Sequence, residues 1–548
     1  MKRKILSFVF VLTLLTAALG VRAAHAASAV VGNGTPASCT ESAFDTALSI
    51  ANSSGGTITF NCGAAVKTIT FTSPKNIVAN VTINGNDLII LDGGNTTSLL
   101  YINGGLIFHL QHITLSHGNK SGSGAEGGAI YSIGSQVFLE SAQLLNNTAT
   151  DKGGAVHCYV GTGGTLTISD SLFQNNTSQA GGAIFNDGCV AVISNSTFKT
   201  NHASSGGGGL GGGIYNAAPA TLTVNNSLFQ GNTASDGGGV YIASGSTATL
   251  NSVTLKSNTG GYGGGLENSG TVTLNDSLVD SKIVTGVGGG IWNLNGTVNV
   301  VRTTVSNNNA YEGGGVNSYG SHIEITNANI VNNVTTGSHG GGIYVVGGTA
   351  FITNATISGN HAVGATSSGG GVYHNSDDNL TLTNVTLANN QADYFGGGLY
   401  HNNRYAVLTN VTIGNNTALA GNAIYEDSST AFVVQLKNSV IFGSSNNCDG
   451  GLFTSLGHNI SKGTCVALNQ LTDQNNYVGN LNLGALAFNG GAFPMQTIMP
   501  LAGSPLINTG DSCSSTDQRG ATRVGVCDIG AVEYAASAYK LFLPLLLR

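Results

Sequence analysis

The chain has 548 residues, of which 82 are glycine, and 8% are charged, against about 25% in an ordinary soluble domain. Its 19 basic and 26 acidic residues give a net charge of −7, which argues against nucleic-acid binding because that function needs basic patches. Hydrophobic residues make up 41% of the chain and recur periodically, which excludes a disordered chain.

The N-terminus has the pattern of a secretory signal peptide. Residues 2–4 are basic, residues 5–19 form a mostly apolar run, and Ala24-His25-Ala26 fits an A-x-A cleavage site. The apolar run is shorter than the roughly 20 residues that a membrane-spanning helix needs. We therefore predict a signal peptide over residues 1–26 and an exported mature chain without a transmembrane span, with 15 basic and 26 acidic residues and a net charge of −11.

All eight cysteines lie after the predicted signal peptide, as is typical of an exported, disulfide-bonded protein. Pairing between sequence neighbours is the most economical arrangement. It gives four bridges: Cys39 to Cys62, Cys158 to Cys189, Cys448 to Cys465, and Cys513 to Cys527. Other connectivities stay open at this point because spacing alone does not decide between them.

Residues 27–100 are predicted to form an N-terminal cap and the first coils. Ser38 and Glu41 fit a capping box, which marks the start of a helix. Four apolar residues follow at helical spacing: Phe44, Ala47, Leu48 and Ala51. Four short strands are expected next, over residues 57–60, 68–71, 81–83 and 88–91.

A repeat dominates residues 101–445. Two glycines, or Gly-Asn in the last copy, are followed by a small residue and then by Ile, Val or Leu. The twelve copies begin at positions 127, 153, 181, 211, 237, 263, 288, 313, 340, 369, 396 and 421. A period of 25 to 30 residues indicates one supersecondary unit stacked on itself.

Each copy holds three short β-favouring runs separated by Gly or Asn, and no run is long enough for a helix. In the copy that begins at Gly181, the runs cover residues 181–186, 190–195 and 196–201. Three strands per coil describe a parallel β-helix whose coils lie about 4.8 Å apart. Stacked like charges would repel each other, which explains the low charge. We therefore predict an all-β, single-stranded parallel β-helix.

Most copies end their third run with an asparagine. These residues are Asn176, Asn201, Asn232, Asn258, Asn308, Asn333, Asn360, Asn390 and Asn416. Asparagine tolerates a left-handed bend, and its amide can pair with the copy in the next coil. We expect these asparagines to take the bend and to form a ladder.

The position after the Ile, Val or Leu of each copy is predicted to point outward, because side chains alternate along a strand. This outward row reads Tyr131, His157, Phe185, Tyr215, Tyr241, Glu267, Trp292, Asn317, Tyr344, Tyr373, Tyr400 and Tyr425. An exposed ladder of rings suits a glycan or a protein partner. Alternatively, the rings stack on one another and shield the sheet. The candidate ligand-binding residues are the nine aromatic members: Tyr131, Phe185, Tyr215, Tyr241, Trp292, Tyr344, Tyr373, Tyr400 and Tyr425.

The repeats lack the residue groups that polysaccharide-cleaving β-helices use. Such enzymes need acids that bind calcium beside an arginine base, or clustered aspartates flanked by His and Arg-x-Lys. Within residues 127–425 the arginines are Arg302 and Arg404, and the adjacent acids are Asp377-Asp378, in a predicted turn. We therefore predict no catalytic residue and no cofactor.

Two histidines form a weaker candidate site. His374 and His401 occupy equivalent positions one coil apart, with Asp377 and Arg404 nearby. Stacked histidines can bind a metal or shuttle protons. No third ligand shares their register, so the simpler interpretation is that they replace other residues of the repeat, and we predict no metal site.

The repeat fades after Tyr425. Residues 446–535 carry four cysteines and are predicted to form a disulfide-stapled C-terminal cap. Residues 536–548 are too short and too interrupted by proline to span a bilayer as a helix. They are either a final strand or a sorting or anchoring tail.

The paired motifs Gly181-Gly182-Ala183-Ile184 and Phe173-x-x-Asn176 resemble the repeats of polymorphic outer-membrane proteins, a family of surface adhesins. The resemblance covers about residues 127–425. It implies that the β-helix is right-handed, like that of pectate lyases, and that the protein acts at a cell surface.

Residues 504–511, 516–520 and 527–534 resemble the choice-of-anchor Q domain of bacterial surface proteins. That domain precedes C-terminal anchoring signals, so the resemblance implies that residues 541–548 are an anchoring or sorting tail. The function expected from the sequence is therefore that of an exported, secreted or cell-surface protein of a bacterium. It would bind a glycan or a surface protein without catalysis, in an oligomeric state that stays open. The alternative is a lyase or glycoside hydrolase that acts on an acidic polysaccharide.

Overall fold

Three parallel sheets wrap around one core to form a β-helix. The computed structural model describes residues 28–161, 163–204, 208–280, 284–427, 433–465 and 468–534. The predicted signal peptide (1–26) and tail (536–548) lie outside these residues. Every strand pairing in the three sheets is parallel and joins one coil to the next, which confirms the predicted parallel β-helix.

Each coil passes through sheet 1, then sheet 2, then sheet 3, and within the described residues these sheets have 15, 17 and 16 strands. Sheet 1 has 15 strands: Lys75–Ile77, Leu100–Ile102, Ile130–Ile133, Val156–Tyr159, Ile184–Asp187, Ile214–Ala217, Val240–Ile242, Leu266–Asn268, Ile291–Leu294, Val316–Tyr319, Ile343–Val346, Val372–Asn375, Leu399–Asn402, Ile424–Glu426 and Cys448–Gly450. Sheet 2 has 17 strands: Ala29–Val31, Gly56–Phe60, Val81–Asn84, Ile107–Gln111, Gln136–Glu140, Thr165–Ser169, Val190–Ser194, Thr221–Asn225, Thr247–Asn251, Thr271–Asn275, Thr297–Val301, His322–Thr326, Ala350–Thr353, Leu380–Thr383, Ala406–Thr409, Val434–Lys437 and Phe453–Ser455. Sheet 3 has 16 strands: Lys67–Thr70, Ile89–Asp92, Thr114–Ser116, Gln143–Leu145, Leu172–Gln174, Thr197–Lys199, Leu228–Gln230, Thr254–Lys256, Leu278–Asp280, Thr304–Ser306, Asn329–Val331, Thr356–Ser358, Thr386–Ala388, Thr412–Gly414, Val440–Phe442 and Ile460–Ser461.

Some coils add a short fourth strand after sheet 3. One group of four is Asn119–Lys120, Thr148–Ala149, Thr177–Ser178 and His202–Ala203, and a second is Asn309–Ala310, Val334–Thr335, His361–Ala362 and Gln391–Ala392. A separate antiparallel pair, Ala487–Phe488 and Gln496–Thr497, lies in the C-terminal region.

Identical inward positions stack on one another to form the core. Phe173, Phe198 and Phe229 lie in successive coils of sheet 3, with ring centroids 4.8 and 4.6 Å apart and nearly parallel planes. All three rings are fully buried. Such stacking keeps the register of the coils, since a slip by one residue would turn each ring to the solvent.

The predicted asparagine ladder is confirmed. Asn201, for example, donates from its backbone N and from its Nδ2 to Asn232 Oδ1, at 2.9 Å each, and this pattern recurs along the rod. Asn147 also belongs to the ladder, although it was not predicted. The predicted left-handed bend was wrong for these residues: the positive φ belongs to the residue before each of them, as at Asn175 (56°) and Asn332 (55°). The ladder side chains instead turn into the core.

The predicted N-terminal cap helix is present as Glu41–Ser54, preceded by the 3-10 turn Pro36–Ser38. Its buried residues are those predicted: Phe44, Ala47, Leu48 and Ala51. The capping box was wrong in register, because the 3-10 turn delays the helix and Thr40 becomes the N-cap, accepting from Ala43 N. Glu41 instead binds Lys75 Nζ at 2.6 Å. Among the described helices, none is long and apolar enough to cross a membrane.

All four predicted disulfides form: Cys39–Cys62, Cys158–Cys189, Cys448–Cys465 and Cys513–Cys527. The first and the third lie near the two ends of the rod, and the second joins two successive coils. Each bridge therefore holds a local loop closed and does not join distant coils.

The C-terminal region contains two disulfides, as predicted. It also runs back along the side of the rod. Residues 494–534 lie against sheet 3, where Pro494 O accepts from Asn329 Nδ2 and Asp511 O accepts from Asn438 Nδ2. The outward threonines of three sheet 3 strands are buried beneath this segment: Thr356, Thr386 and Thr412. Sheet 3 is therefore covered in its C-terminal coils.

Candidate functional site

The glycine pair of each repeat positions the outward row on sheet 1. The first glycine has a positive φ, 67° at Gly127 and 60° at Gly421, which favours glycine. The second approaches the next coil so closely that a Cβ on Gly154 would lie 2.1 Å from Gly182 O. This turn brings the inward Ile, Val or Leu and the outward residue of every coil into one register.

The outward row is continuous in the structure and longer than predicted. Tyr101 precedes Tyr131 in register, and Asp449 follows Tyr425. In the Tyr101 coil, Thr97 and Ser98 stand where the later coils have the glycine pair, which is why the sequence pattern missed it. The inward leucine followed by tyrosine in Leu100–Ile102 was the signal that remained.

Most rings of the row stack on their neighbours. The Phe185, Tyr215 and Tyr241 centroids lie 4.8 and 4.9 Å apart. Further along, the centroids of Tyr344, Tyr373, Tyr400 and Tyr425 are 5.0, 4.6 and 5.8 Å apart, with interplanar angles of 2 to 8°. The faces of these rings contact each other, so their edges are what remains for other contacts.

The expectation of an exposed ladder was wrong for several members. Phe185, Tyr373 and Tyr400 are buried, at 6 to 7% exposure, and the other aromatic members are half-buried. One cause is the stacking itself. The other is a set of flanking rings that the sequence analysis missed, each lying just before a glycine pair: Tyr262 stacks on Trp292, His339 on Tyr373, and Phe395 on Tyr425.

Three polar residues interrupt the rings: His157, Glu267 and Asn317, each at most 2% exposed. Burial and the nearby Asp236 raise the pKa of Glu267 to about 9. Within the described residues its Oε2 has no hydrogen-bond partner. Glu267 is therefore a neutral carboxylic acid at pH 7, embedded between Tyr241 and Trp292.

His157 lies at the centre of a charged cluster. Its Nδ1 is 3.3 Å from Glu126 Oε2, and its Nε2 is 3.4 Å from Asp187 Oδ2. Lys152 Nζ lies 3.3 Å from Glu126 Oε1 and 3.8 Å from Asp187 Oδ2. The contact with His157 is the largest cause that lowers the pKa of Glu126 to about 2, while burial acts in the opposite direction. The Glu126 carboxylate is thus ionised at neutral pH.

A recess of about 430 Å³ opens beside this cluster, at the N-terminal end of the outward row. Its lining includes Asn76, Tyr101, Lys120, Glu126 and Tyr131. Burial and the Glu126 carboxylate raise the pKa of Tyr131, so its hydroxyl stays protonated. The sequence pattern indicates only Tyr131 of this set. Asn76 and Tyr101 lie in coils before the first copy of the repeat, and Lys120 and Glu126 lie outside the outward position.

His374 and His401 are paired in register, as predicted, but they point into the core. His401 Nε2 donates to Arg404 O at 3.1 Å, which leaves its Nδ1 to accept from His374 Nδ1 at 3.1 Å. Burial lowers the pKa of His374 to about 3 and that of His401 to about 4. Glu426 continues the stack in the next coil, with its Oε2 3.8 Å from His401 Nε2. Neutral, enclosed imidazoles of this kind are structural members of the core.

The described residues contain no group of three or more His, Cys, Asp or Glu side chains arranged to hold a metal ion. A larger cavity, of about 650 Å³, lies between the last coils and residues 480–485. Its lining includes Phe442, Lys462, Leu481 and Leu483. It does not adjoin the charged cluster.

No protein-family model matches the chain. The chain is similar to the metabotropic glutamate receptor-like protein R of Dictyostelium discoideum, with 38% identity over 74 residues. The match covers 13% of this chain and 4% of that protein. So short a shared segment describes neither a common domain organisation nor a common activity.

Proposed function

We propose that this chain is an exported, surface-displayed β-helix protein that binds a glycan through the outward face of sheet 1 without chemical conversion. The observation that carries the proposal is the outward row itself. The edges of its half-buried tyrosines, such as Tyr215, Tyr344 and Tyr425, lie along a 15-stranded sheet and are held rigid by stacking. Rigid aromatic and hydroxyl groups give contact area with little loss of conformational entropy on binding.

Location outside the cytoplasm is supported by the four disulfides, which are typical of oxidising compartments. The signal-like N-terminal residues and the resemblances to polymorphic outer-membrane protein repeats and to the choice-of-anchor Q domain point the same way. These three features stay predictions. Together they favour display at a bacterial surface over release into the medium.

The charge of the protein favours a neutral glycan. The chain carries a net charge of −7. The acids near the outward row include Glu126, Asp187 and Asp427, whereas Lys152 is already paired with two of them. An acidic polysaccharide would meet repulsion along this face, since charge complementarity governs encounter.

The test is glycan binding by a variant that loses hydroxyl groups but keeps the rings. We choose Tyr215→Phe, Tyr344→Phe and Tyr425→Phe together, because these tyrosines are half-buried. Tyr373 and Tyr400 are left unchanged because both are buried and the Tyr400 hydroxyl donates to Asp427. We expect binding to a neutral glycan on an array to weaken by about tenfold or more, since each lost hydrogen bond is worth about 1 kcal/mol. The thermal midpoint should stay unchanged because stacking is retained.

The matched control is Tyr477→Phe, a half-buried tyrosine in the C-terminal region. It removes the same hydroxyl group away from sheet 1 and should leave binding intact. Equal binding by the triple variant and the wild type would contradict the assignment of this face.

A polysaccharide-cleaving enzyme is the second candidate. The observation that favours it is the buried His157 between Glu126 and Asp187, because imidazole and carboxylate groups are the usual general acids and bases. The enzyme should release reducing or unsaturated ends from neutral or acidic polysaccharides, and His157→Ala should stop the release. If no polysaccharide of a broad panel is cleaved, this candidate is removed.

A further inference from the structure

The outward row offers few ring faces to a ligand, and this limits where a sugar can stack. Between Tyr344 and Tyr425 each ring is covered by its neighbours, and flanking rings cover others. Sugars pack best against an open aromatic face, with polar groups around it to bind the hydroxyls. A sugar can therefore stack on a ring at an end of the row, where one ring face is open, and not on a ring in the middle.

The N-terminal end of the row meets this condition. Among the described residues, Tyr101 has one ring partner, Tyr131, at 5.3 Å and tilted by 56°. The register position before Tyr101 is held by Asn76, which has no ring. Both residues line the recess of about 430 Å³, so the open side of the Tyr101 ring borders an empty space. That volume is within the range of small-ligand pockets, which is about 300 to 1,000 Å³.

Polar groups of both kinds surround this ring. Glu126 supplies carboxylate oxygens that accept hydrogen bonds, Lys120 supplies an ammonium that donates, and Ser98 and Asn76 add a hydroxyl and an amide. The opposite charges of Glu126 and Lys120 balance, so the recess favours a neutral ligand rich in hydroxyl groups. A charge-assisted hydrogen bond to Glu126 would be among the stronger contacts.

The wall of the recess is held in place before any ligand arrives. Glu126 is fixed by His157 at 3.3 Å and by Lys152 at 3.3 Å. The preceding loop is fixed by Asp151, whose Oδ2 accepts from Gly124 N at 2.5 Å and from Ala125 N at 3.1 Å. A prearranged site loses less entropy on binding. His157 and Lys152 therefore act as positioning residues for Glu126.

We infer that the recess between Asn76, Tyr101 and Glu126 is a binding site for one neutral sugar ring of a glycan, stacked on the open face of Tyr101. The inference rests on the proposed function and names the class of ligand and the place on the row. The rest of the glycan chain would run from the recess along the edges of the row toward Tyr425.

The test is calorimetric titration of the full-length protein with four neutral tetrasaccharides: cellotetraose, maltotetraose, mannotetraose and chitotetraose. Tetragalacturonate serves as the acidic comparison. Tyr101→Ala removes the stacking face, Glu126→Gln removes the charged acceptor, and Tyr101→Phe restores the face without the hydroxyl. We expect the first two changes to weaken binding of a neutral tetrasaccharide by about tenfold and Tyr101→Phe to preserve it. Thermal midpoints are recorded for each variant, and Tyr477→Ala, in the C-terminal region away from sheet 1, is the matched control.

The outcomes separate the two proposals. If a neutral tetrasaccharide binds the Tyr101→Ala and Glu126→Gln variants as it binds the wild type, the recess is not the site. Should the Tyr215, Tyr344 and Tyr425 triple variant still weaken that binding, the proposed function would stand without the recess. Binding of tetragalacturonate alone overturns the neutral-sugar inference. Binding of none of the five probes contradicts both the recess and the glycan as ligand.

Discussion

At the scale of single residues, Glu267 is the member of the outward row with the most unusual environment. It occupies a position that rings fill in neighbouring coils, and it is 2% exposed. Burial of an ionised carboxylate without a partner is costly, so the group holds its proton. Its pKa of about 9 in the folded protein compares with 4.5 for an exposed glutamate.

This raised pKa predicts that Glu267 destabilises the fold as the pH rises. Between pH 4.5 and 9 the folded protein keeps the proton and the unfolded chain releases it, so unfolding becomes more favourable with every unit of pH. Urea unfolding from pH 5 to 9 should show falling stability in the wild type. The Glu267→Gln variant, which stays neutral throughout, should show a flatter profile and higher stability at pH 8.

The control for this prediction is Glu324→Gln, an exposed residue on sheet 2. It should leave the profile as it is in the wild type. A profile of Glu267→Gln parallel to that of the wild type across the whole range would contradict the description of Glu267 as a buried neutral acid.

At the scale of the repeated coil, the second glycine of each pair is a steric requirement. A Cβ on Gly154 would lie 2.1 Å from Gly182 O and 2.6 Å from Thr177 N, both of them backbone atoms of the next coil. Backbone of this kind cannot move without breaking sheet pairings on either side. The glycine pair therefore recurs along the chain because of geometry and not because of binding.

We predict that Gly154→Ala destabilises the protein by about 3 kcal/mol or more, because a clash with backbone has no cheap relief. Gly105→Ala is the matched control: Gly105 has a φ of 77° but no atom within 4 Å of an added Cβ. It should cost about 1 kcal/mol from backbone strain alone. Equal unfolding midpoints for the two variants, measured in urea, would refute the close approach between coils.

The same coil shows what the sequence can and cannot predict. A fixed period predicts both the pairing of strands and the alternation of side chains along them. The β-helix, the inward Ile184 and the outward Phe185 could therefore be predicted from the sequence alone. The exposure of the outward row could not, because Tyr262, His339 and Phe395 come from turns of variable length. A buried ladder on the next inward position of sheet 1, in which Asn268 Nδ2 donates to Asn293 Oδ1 at 2.8 Å, also escaped the prediction.

The candidate site, too, could be predicted from the sequence only in part. Tyr131 belongs to the repeat and was predicted, whereas Glu126 and Lys152 lie in the turns before two glycine pairs and were not. Their approach to His157 depends on the stacking of coils, which brings residues about 30 positions apart into contact. Charged residues just before the glycine pair were the available signal, since charge is scarce in this chain.

At the scale of the whole molecule, hydrogen bonds from buried polar groups hold the C-terminal segment, residues 494–534, against the side of the rod. Gln518 Nε2 donates to Ala355 O at 2.9 Å and to Thr356 Oγ1 at 2.8 Å, while its Oε1 accepts from Thr386 Oγ1 at 2.5 Å. Arg519 pairs with Asp517 at 2.7 Å within the same segment. The disulfide Cys513–Cys527 closes a loop inside the segment and does not tie it to the coils.

Attachment of this segment therefore depends on contacts such as those of Gln518. Gln518→Ala would leave the buried Thr386 hydroxyl without this acceptor, which costs about 1 to 3 kcal/mol, whereas Ala355 O still accepts from Thr386 N. We predict faster hydrogen exchange and faster proteolysis over residues 511–534, with the N-terminal coils unaffected. Val524→Ala, at a position 73% exposed in the same segment, should behave as the wild type. Unchanged exchange in Gln518→Ala would show that other contacts hold the segment.

Ligand binding along the outward face of sheet 1 can be measured on the intact molecule by side-chain footprinting. Hydroxyl-radical labelling of tyrosines is quantified by mass spectrometry with and without a long neutral polysaccharide of the sugar that binds best. A long chain is needed because Tyr101 and Tyr425 lie at opposite ends of the row, roughly 58 Å apart at about 4.8 Å per coil. We expect labelling of Tyr101, Tyr131, Tyr344 and Tyr425 to fall on binding and labelling of Tyr477 to stay the same. Unchanged labelling along the row, with protection elsewhere on the molecule, would rule out this face as the binding surface.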